Sequence, residues 1–338
     1  MEIKWERATA LTDGPKRTLF GKGISPDDAI QGAIGNCWFI AAASAVAEVP
    51  GRMEKVFLNR RNKLNEAGIY GVNLYTLGVP HTIIVDDFVP RSAEGEQGED
   101  VNTFARKGVD QSLWGTILEK ALAKSMGNYL HSAGGQMYDG VRAITGAPHE
   151  EHYHQNMSVE DLWTELTSHD GKQDILNAGT SGENHDNKTN NGLSMGHAYT
   201  VLGTVTLDNN DKTRLVKIRN PWGAEGYNGD WGDKSDKWTQ ADKDKVGFVD
   251  NMKDGIFYMS IEDFHKWFSD TQINYDTTNM KHAYFLRLND NPNGATDCRD
   301  ELKGPKCFRH ELTITSEVEQ TVWVNVHTWE LNTQPQSC

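Results

Sequence analysis

The sequence predicts an α+β chain in two parts, a mainly helical first part and a strand-rich second part. Three observations carry this. Apolar or amphipathic stretches at helical spacing, 37–47 and 112–126, fall early in the chain. Runs rich in β-branched and aromatic residues, 198–207 and 215–219, follow later. Between them stands Gly134-Gly135, the best candidate for a hinge.

Residues 1–30, rich in Gly, Pro and charge, are expected to be an irregular lead-in. Ala-rich 37–47 is helical, and Pro50-Gly51 ends it. Residues 69–77 and 81–89 form a hairpin around 78–80, with Asp86-Asp87 near the end of its second strand. Residues 91–102 are a polar loop. In 112–126, Leu113, Ile117, Ala121 and Met126 make one apolar face of a helix.

His149, His152 and His154 are read as a polar loop, because no Cys or carboxylate spacing supports a metal site there. Ser158 and Asp161 frame a capping box that opens a helix through Leu166. Residues 179–191, rich in Asn, Gly and Ser, are a loop. Asp208-Asn209-Asn210-Asp211 turns between strands 198–207 and 215–219. Residues 221–254 carry Trp222, Trp231 and Trp238 in a long structured loop, 255–259 is a strand, and Ser260 with Asp263 caps a helix at 264–268. Strands are expected at 284–288 and 311–328, too few to close a domain, so further domains are expected beyond the C-terminus.

The 338 residues suffice for two or three domains. A net charge of −14 argues against nucleic acid as the main partner, and no apolar run approaches a membrane span. Met1 to Trp5 lacks the charged and apolar regions of a signal peptide, and four cysteines, three of them after residue 297, do not make a disulfide framework. A reduced, cytoplasmic setting is expected.

Chemistry centres on the stretch from Gln31 to Ala43, where a Gly-bearing turn runs into an apolar helix with Cys37 at the junction. Asn36 is a good N-cap residue, so the helix is expected to start at Cys37, and its N-terminus favours a thiolate. Gln31, six residues upstream, can donate its amide to an oxyanion beside the Cys37 N–H. A cysteine nucleophile needs a base, and the base an orienting group. His197 opens an apolar strand and Asn220 ends the next, where Pro221 stops it. Two adjacent antiparallel strands bring them side by side, so that Asn220 fixes the His197 tautomer.

These blocks resemble the calpain family of intracellular, calcium-dependent cysteine proteases. The nucleophile block QGAIGNCW, His197 in GHAY, and Asn220 in RNPWG with GDWGD after it all match, although Asp is common where this chain has Asn36. Val85-Asp86-Asp87, LWGTILEKALAK, Asp254-Gly255 and Met259-Ser260 match too, so the likeness covers about residues 5–277. It implies a two-lobed papain-like core with a helical lobe at 1–135 carrying Cys37 and a β-rich lobe at 136–277 carrying His197 and Asn220. The incomplete start of a β-sandwich would follow at 278–338. It implies protein substrates, and Trp222 beside the triad in the cleft.

It also implies calcium in each lobe. The first site would use Asp28 and Glu119 with carbonyls near Gly21 and Gly23. The second would use Asp233, Asp254 and the carbonyl of Met252, and is thinner: Gly226 replaces a usual acid, with Glu225 one position early, and Ile256 replaces another. Two alternatives are a transglutaminase-like acyl transferase, disfavoured because the third triad position lies in Asn-Pro-Trp-Gly, and a non-catalytic calpain-like binding module.

Overall fold

Helix α1 (Cys37–Ala47) is buried from Trp38 to Ala47. With Ala at five of its eleven positions it offers no polar face, and such a helix is stable only when surrounded. Its one hydroxyl is satisfied: Ser44 Oγ donates to Pro26 O at 3.1 Å and accepts from Arg219. The structure is a computed structural model that describes residues 3–8, 18–76, 78–92, 104–108, 110–182, 187–208, 211–224, 226–251, 253–278 and Val322.

Around α1 lie α2 (Trp114–Ser125) and α3 (Met137–Thr145), and the hairpin of β2 (Ile69–Thr76) and β3 (Val79–Asp86) packs on those two helices. Their buried faces form one apolar cluster with Phe39, Ile40, Trp114, Ile117, Val141 and Ile144. The lead-in is not wholly irregular. Its residues Ile3–Arg7 form β1, antiparallel to β4 (Phe88–Ser92), and Arg7 pairs with the buried Asp87. Only pairing with a distant edge makes this charged five-residue segment a strand.

The second half builds a six-stranded antiparallel sheet. Its strands are β5 (His149–Tyr153), β6 (Ile175–Gly179), β7 (Ala198–Thr206), β8 (Arg214–Arg219), β9 (Ile256–Ser260) and β10 (Asp270–Asn274). The order is β5-β10-β6-β7-β8-β9. Helices α4 (Val159–Asp170) and α6 (Ile261–Trp267) pack on it with Leu162, Leu166 and Phe264. Side chains alternate along β7: Ala198 joins the α1 cluster and Thr200 donates to Ala41 O at 2.8 Å, while Tyr199 and Val201 join the second cluster. The sheet is thus clasped between α1 and the α4–α6 pair.

The two serines cap as the sequence places them, although α6 starts at Ile261 rather than at 264. Ser158 accepts from Asp161 N, and Ser260 from Asp263 N. The histidine segment is not a loop: His149 and His152 lie in β5, and His154 follows it, buried against Thr271 Oγ1 at 2.8 Å. Within 221–254 the chain forms α5 (Gln240–Val246), opened by a Thr239–Asp242 capping box and closed by Gly247 at φ 60°. The strands expected at 284–288 and 311–328 lie outside the described residues, apart from Val322. No helix among the described residues is long and apolar enough to cross a membrane.

Candidate active site

Helix α1 begins at Cys37, but Asn36 does not cap it with its side chain. Its Nδ2 donates instead to Glu119 Oε1 at 2.6 Å. A carboxylate with no exposure to water needs donors more than a helix end does, and Ala105 N–H supplies the second, at 2.8 Å to Oε2. Burial pushes Glu119 up to about 7. At Cys37, burial also pushes the thiol up, opposed by the backbone N–H groups of Ala198, Trp38 and Cys37 itself. The expected preference for thiolate is therefore outweighed by desolvation. The contact with Ala198 sets the sulfur beside the first residue of β7.

His197 immediately precedes that strand. Thr180 anchors it: His197 N–H donates to Thr180 Oγ1 at 3.1 Å, and His197 O accepts from Thr180 N–H at 3.0 Å. The β7–β8 register pairs Thr200 with Arg219 and so carries Asn220 alongside. His197 Nε2 lies 3.0 Å from Asn220 Oδ1, which also accepts from Trp222 N–H at 3.0 Å. An oxygen that already accepts one N–H makes Nε2 the protonated nitrogen of the ring. The imidazole is 3% exposed, held between Tyr199 (4.9 Å, 83°) and Trp222 (4.4 Å, 40°). Sequence reasoning missed Tyr199, whose only signal is its place two residues along the strand from His197.

Gln31 is fixed at three points. Its N–H donates to Pro221 O at 2.9 Å, its Nε2 donates to Ile34 O at 2.7 Å, and its carbonyl accepts from Arg106 Nε at 3.0 Å. One side-chain N–H is thereby used and a second remains on the same nitrogen. Arg219, also missed, is fully buried directly before Asn220. It donates to Ala29 O at 2.9 Å, Ser44 Oγ at 3.2 Å, Asp27 O at 3.1 Å and Asp254 O at 3.2 Å. An arginine closing an apolar strand was the available signal.

Asp28, 2% exposed, accepts from Ser25 N–H at 3.1 Å and faces Asp110. Burial and the Asp110 charge push it up to about 7. That like-charge pair suits a hard cation, whereas both Glu119 oxygens already accept hydrogen bonds. Asp233 is buried, and Asp254 accepts from Ile256 N–H at 2.8 Å. Glu225 and Met252 lie outside the described residues. Among the described residues no group of three or more His, Cys, Asp or Glu side chains is arranged to hold a metal ion, the 149–154 histidines included. As placed, these residues do not form a calcium cage.

A family model described as "Calpain family cysteine protease" matches residues 1–275. The chain is 33% identical over 253 residues to the calpain-type cysteine protease ADL1 of Oryza sativa subsp. japonica, covering 73% of this chain and 11% of that protein. It is 30% identical over 274 residues to calpain-12 of Homo sapiens, covering 80% of this chain and 37% of the relative. For the calpain-2 catalytic subunit of Rattus norvegicus the values are 29% over 279 residues, 80% and 38%. The chain thus spans between about a tenth and two fifths of the length of these relatives. With a match running from residue 1 to residue 275 of 338, it belongs to the calpain family of cysteine proteases.

Proposed function

We propose that this chain is the catalytic part of a calcium-dependent cysteine endopeptidase that acts on proteins inside the cell. The observation that supports it most is the 3.0 Å bond from His197 Nε2 to Asn220 Oδ1, beside the N-terminus of the helix that carries Cys37. With Nε2 committed to Asn220, Nδ1 is the nitrogen left to take the thiol proton. The resulting thiolate attacks the peptide carbonyl, the C–N bond breaks, and the imidazolium returns its proton to the leaving amine. His197 then deprotonates a water that attacks the thioester, which releases the acid and restores the thiol. Cys37 N–H and the second amide hydrogen of Gln31 hold the oxyanion of both tetrahedral intermediates. Trp222 shields the imidazole and its bond to Asn220 from water.

In this reading residues 1–135 and 136–277 are two lobes with the cleft between them, and calcium brings them into register. Asp28 and Glu119 would serve the first lobe, Asp233 and Asp254 the second.

A fluorogenic peptide assay with and without calcium is the test. Cys37→Ala abolishes hydrolysis and His197→Ala comes close, each losing roughly 10³-fold or more. Asn220→Ala loses less, because it orients and does not react. Full hydrolysis by Cys37→Ala overturns the assignment, and amine incorporation in place of hydrolysis assigns acyl transfer.

A further inference from the structure

One cation joins the segment that precedes Cys37 to the residue that covers His197. Gln31 lies six residues before Cys37, and Trp222 covers His197 and donates its N–H to Asn220. Arg106 reaches both: Nε donates to Gln31 O at 3.0 Å and Nη2 to Trp222 O at 2.8 Å. Its own backbone N–H donates to Ile30 O at 2.8 Å, so the arginine is tied to the segment it holds. Neither acceptor is a carboxylate. The guanidinium forms a fork across two main-chain carbonyls, 75 and 116 residues away in sequence.

We propose that Arg106 is a positioning residue for peptide hydrolysis: by clasping the carbonyls of Gln31 and Trp222 it fixes the oxyanion donor against the histidine–asparagine pair. This rests on the cysteine protease reading above. The oxyanion donor acts only if its N–H meets charge that develops in the transition state, and small misplacement there is expensive. Gln31 has two other anchors, at Pro221 and Ile34, so loss of the clasp loosens it without releasing it. His197 keeps its bond to Asn220 in either case. The expected defect is therefore specific to steps that form an oxyanion.

The experiment separates oxyanion chemistry from thiol reactivity in the full chain, with calcium present. Arg106→Ala is expected to lower kcat about 10-fold and to leave KM within about twofold. A peptide aldehyde, whose thiohemiacetal fills the oxyanion position, weakens by the same factor as kcat/KM falls. Alkylation of Cys37 by iodoacetamide forms no oxyanion, and its rate, followed on the Cys37 peptide by mass spectrometry, stays within about twofold. Arg106→Lys reaches only one carbonyl and falls between wild type and Arg106→Ala.

Unchanged kcat in Arg106→Ala overturns the clasp. So does alkylation that slows in step with hydrolysis, the mark of general loosening, or full activity in Arg106→Lys. Failure of the underlying reading shows elsewhere: hydrolysis retained by Cys37→Ala removes both ideas, whatever the arginine variants do.

Discussion

At the scale of single residues, Gln31 carries the sharpest expectation. Its backbone is pinned to Pro221 and Arg106, and one amide hydrogen to Ile34. Little is left for it to do in substrate binding, so Gln31→Ala is predicted to lower kcat about 10²-fold with KM nearly unchanged. Steady-state kinetics on one peptide check this, and a change confined to KM assigns Gln31 to binding. The residues legible in the sequence are those whose chemistry is carried by near neighbours: a cysteine opening an Ala-rich helix, a histidine opening a strand, an asparagine before Pro221. Asn36 was legible as a helix boundary but not as a partner of Glu119, which stands 83 residues away. Arg106 was missed for the same reason. Local pattern predicts where a helix starts, while the demand of a buried carboxylate or carbonyl decides where a side chain points.

At the scale of elements, α1 ends on an unfavourable charge. Glu48 follows its last residue, at the negative end of the helix dipole. Burial and the Asp170 charge push it up to about 8 from 4.5, against the pull of Arg52 and Lys217. The unfolded chain releases this proton near 4.5 and the folded chain keeps it to about 8. Glu48 therefore costs the native state nothing below pH 4.5, progressively more as pH rises, and a constant amount above about 8. Glu48→Gln is predicted to stabilise the protein by on the order of 2 kcal/mol at pH 9 and to change little at pH 4.5. Thermal melts at the two pH values decide it, and an equal gain at both rules out titration as the cause. Other elements declare themselves less openly. The capping residues Ser158 and Ser260 announce α4 and α6. Strands β6 and β10 were invisible because their buried faces include Asn177, Thr271, Gln272 and Asn274. Gln272 Oε1 accepts from Tyr138 N–H at 2.9 Å and its Nε2 donates to Asp270 at 3.0 Å. The interior of the sheet there is held by polar side chains such as Gln272, and no alternation of apolar residues marks it.

At the scale of the whole molecule, the α1 side and the sheet are stitched by a few long-range bonds. Arg219 binds the carbonyls of Asp27 and Ala29, Gln31 N–H binds Pro221 O, Thr200 binds Ala41 O, and Arg52 donates to Gln173 O at 2.7 Å. The stitch at Arg219 runs beside two proposed calcium positions, because Asp27 adjoins Asp28 and Arg219 donates to Asp254 O. A cation that reorganises either carboxylate thus acts on the segments that carry Gln31 and Asn220. Occupancy of the first site also requires Glu119 to share or surrender the bonds from Asn36 and Ala105.

Hydrolysis is accordingly predicted to need calcium, and Asp28→Ala or Glu119→Ala to remove activity together with the calcium response. The second site is predicted to be the weaker, since Gly226 and Ile256 stand where acids are usual and fewer anionic ligands bind calcium less tightly. Titrating calcium while following hydrolysis and tryptophan fluorescence tests the coupling, because Trp222 lies against His197 and its ring reports any shift at the centre. Calorimetry on the same chain ranks the sites. Full activity in excess chelator sinks the switch, and two equally tight sites sink the ranking while leaving the switch in place.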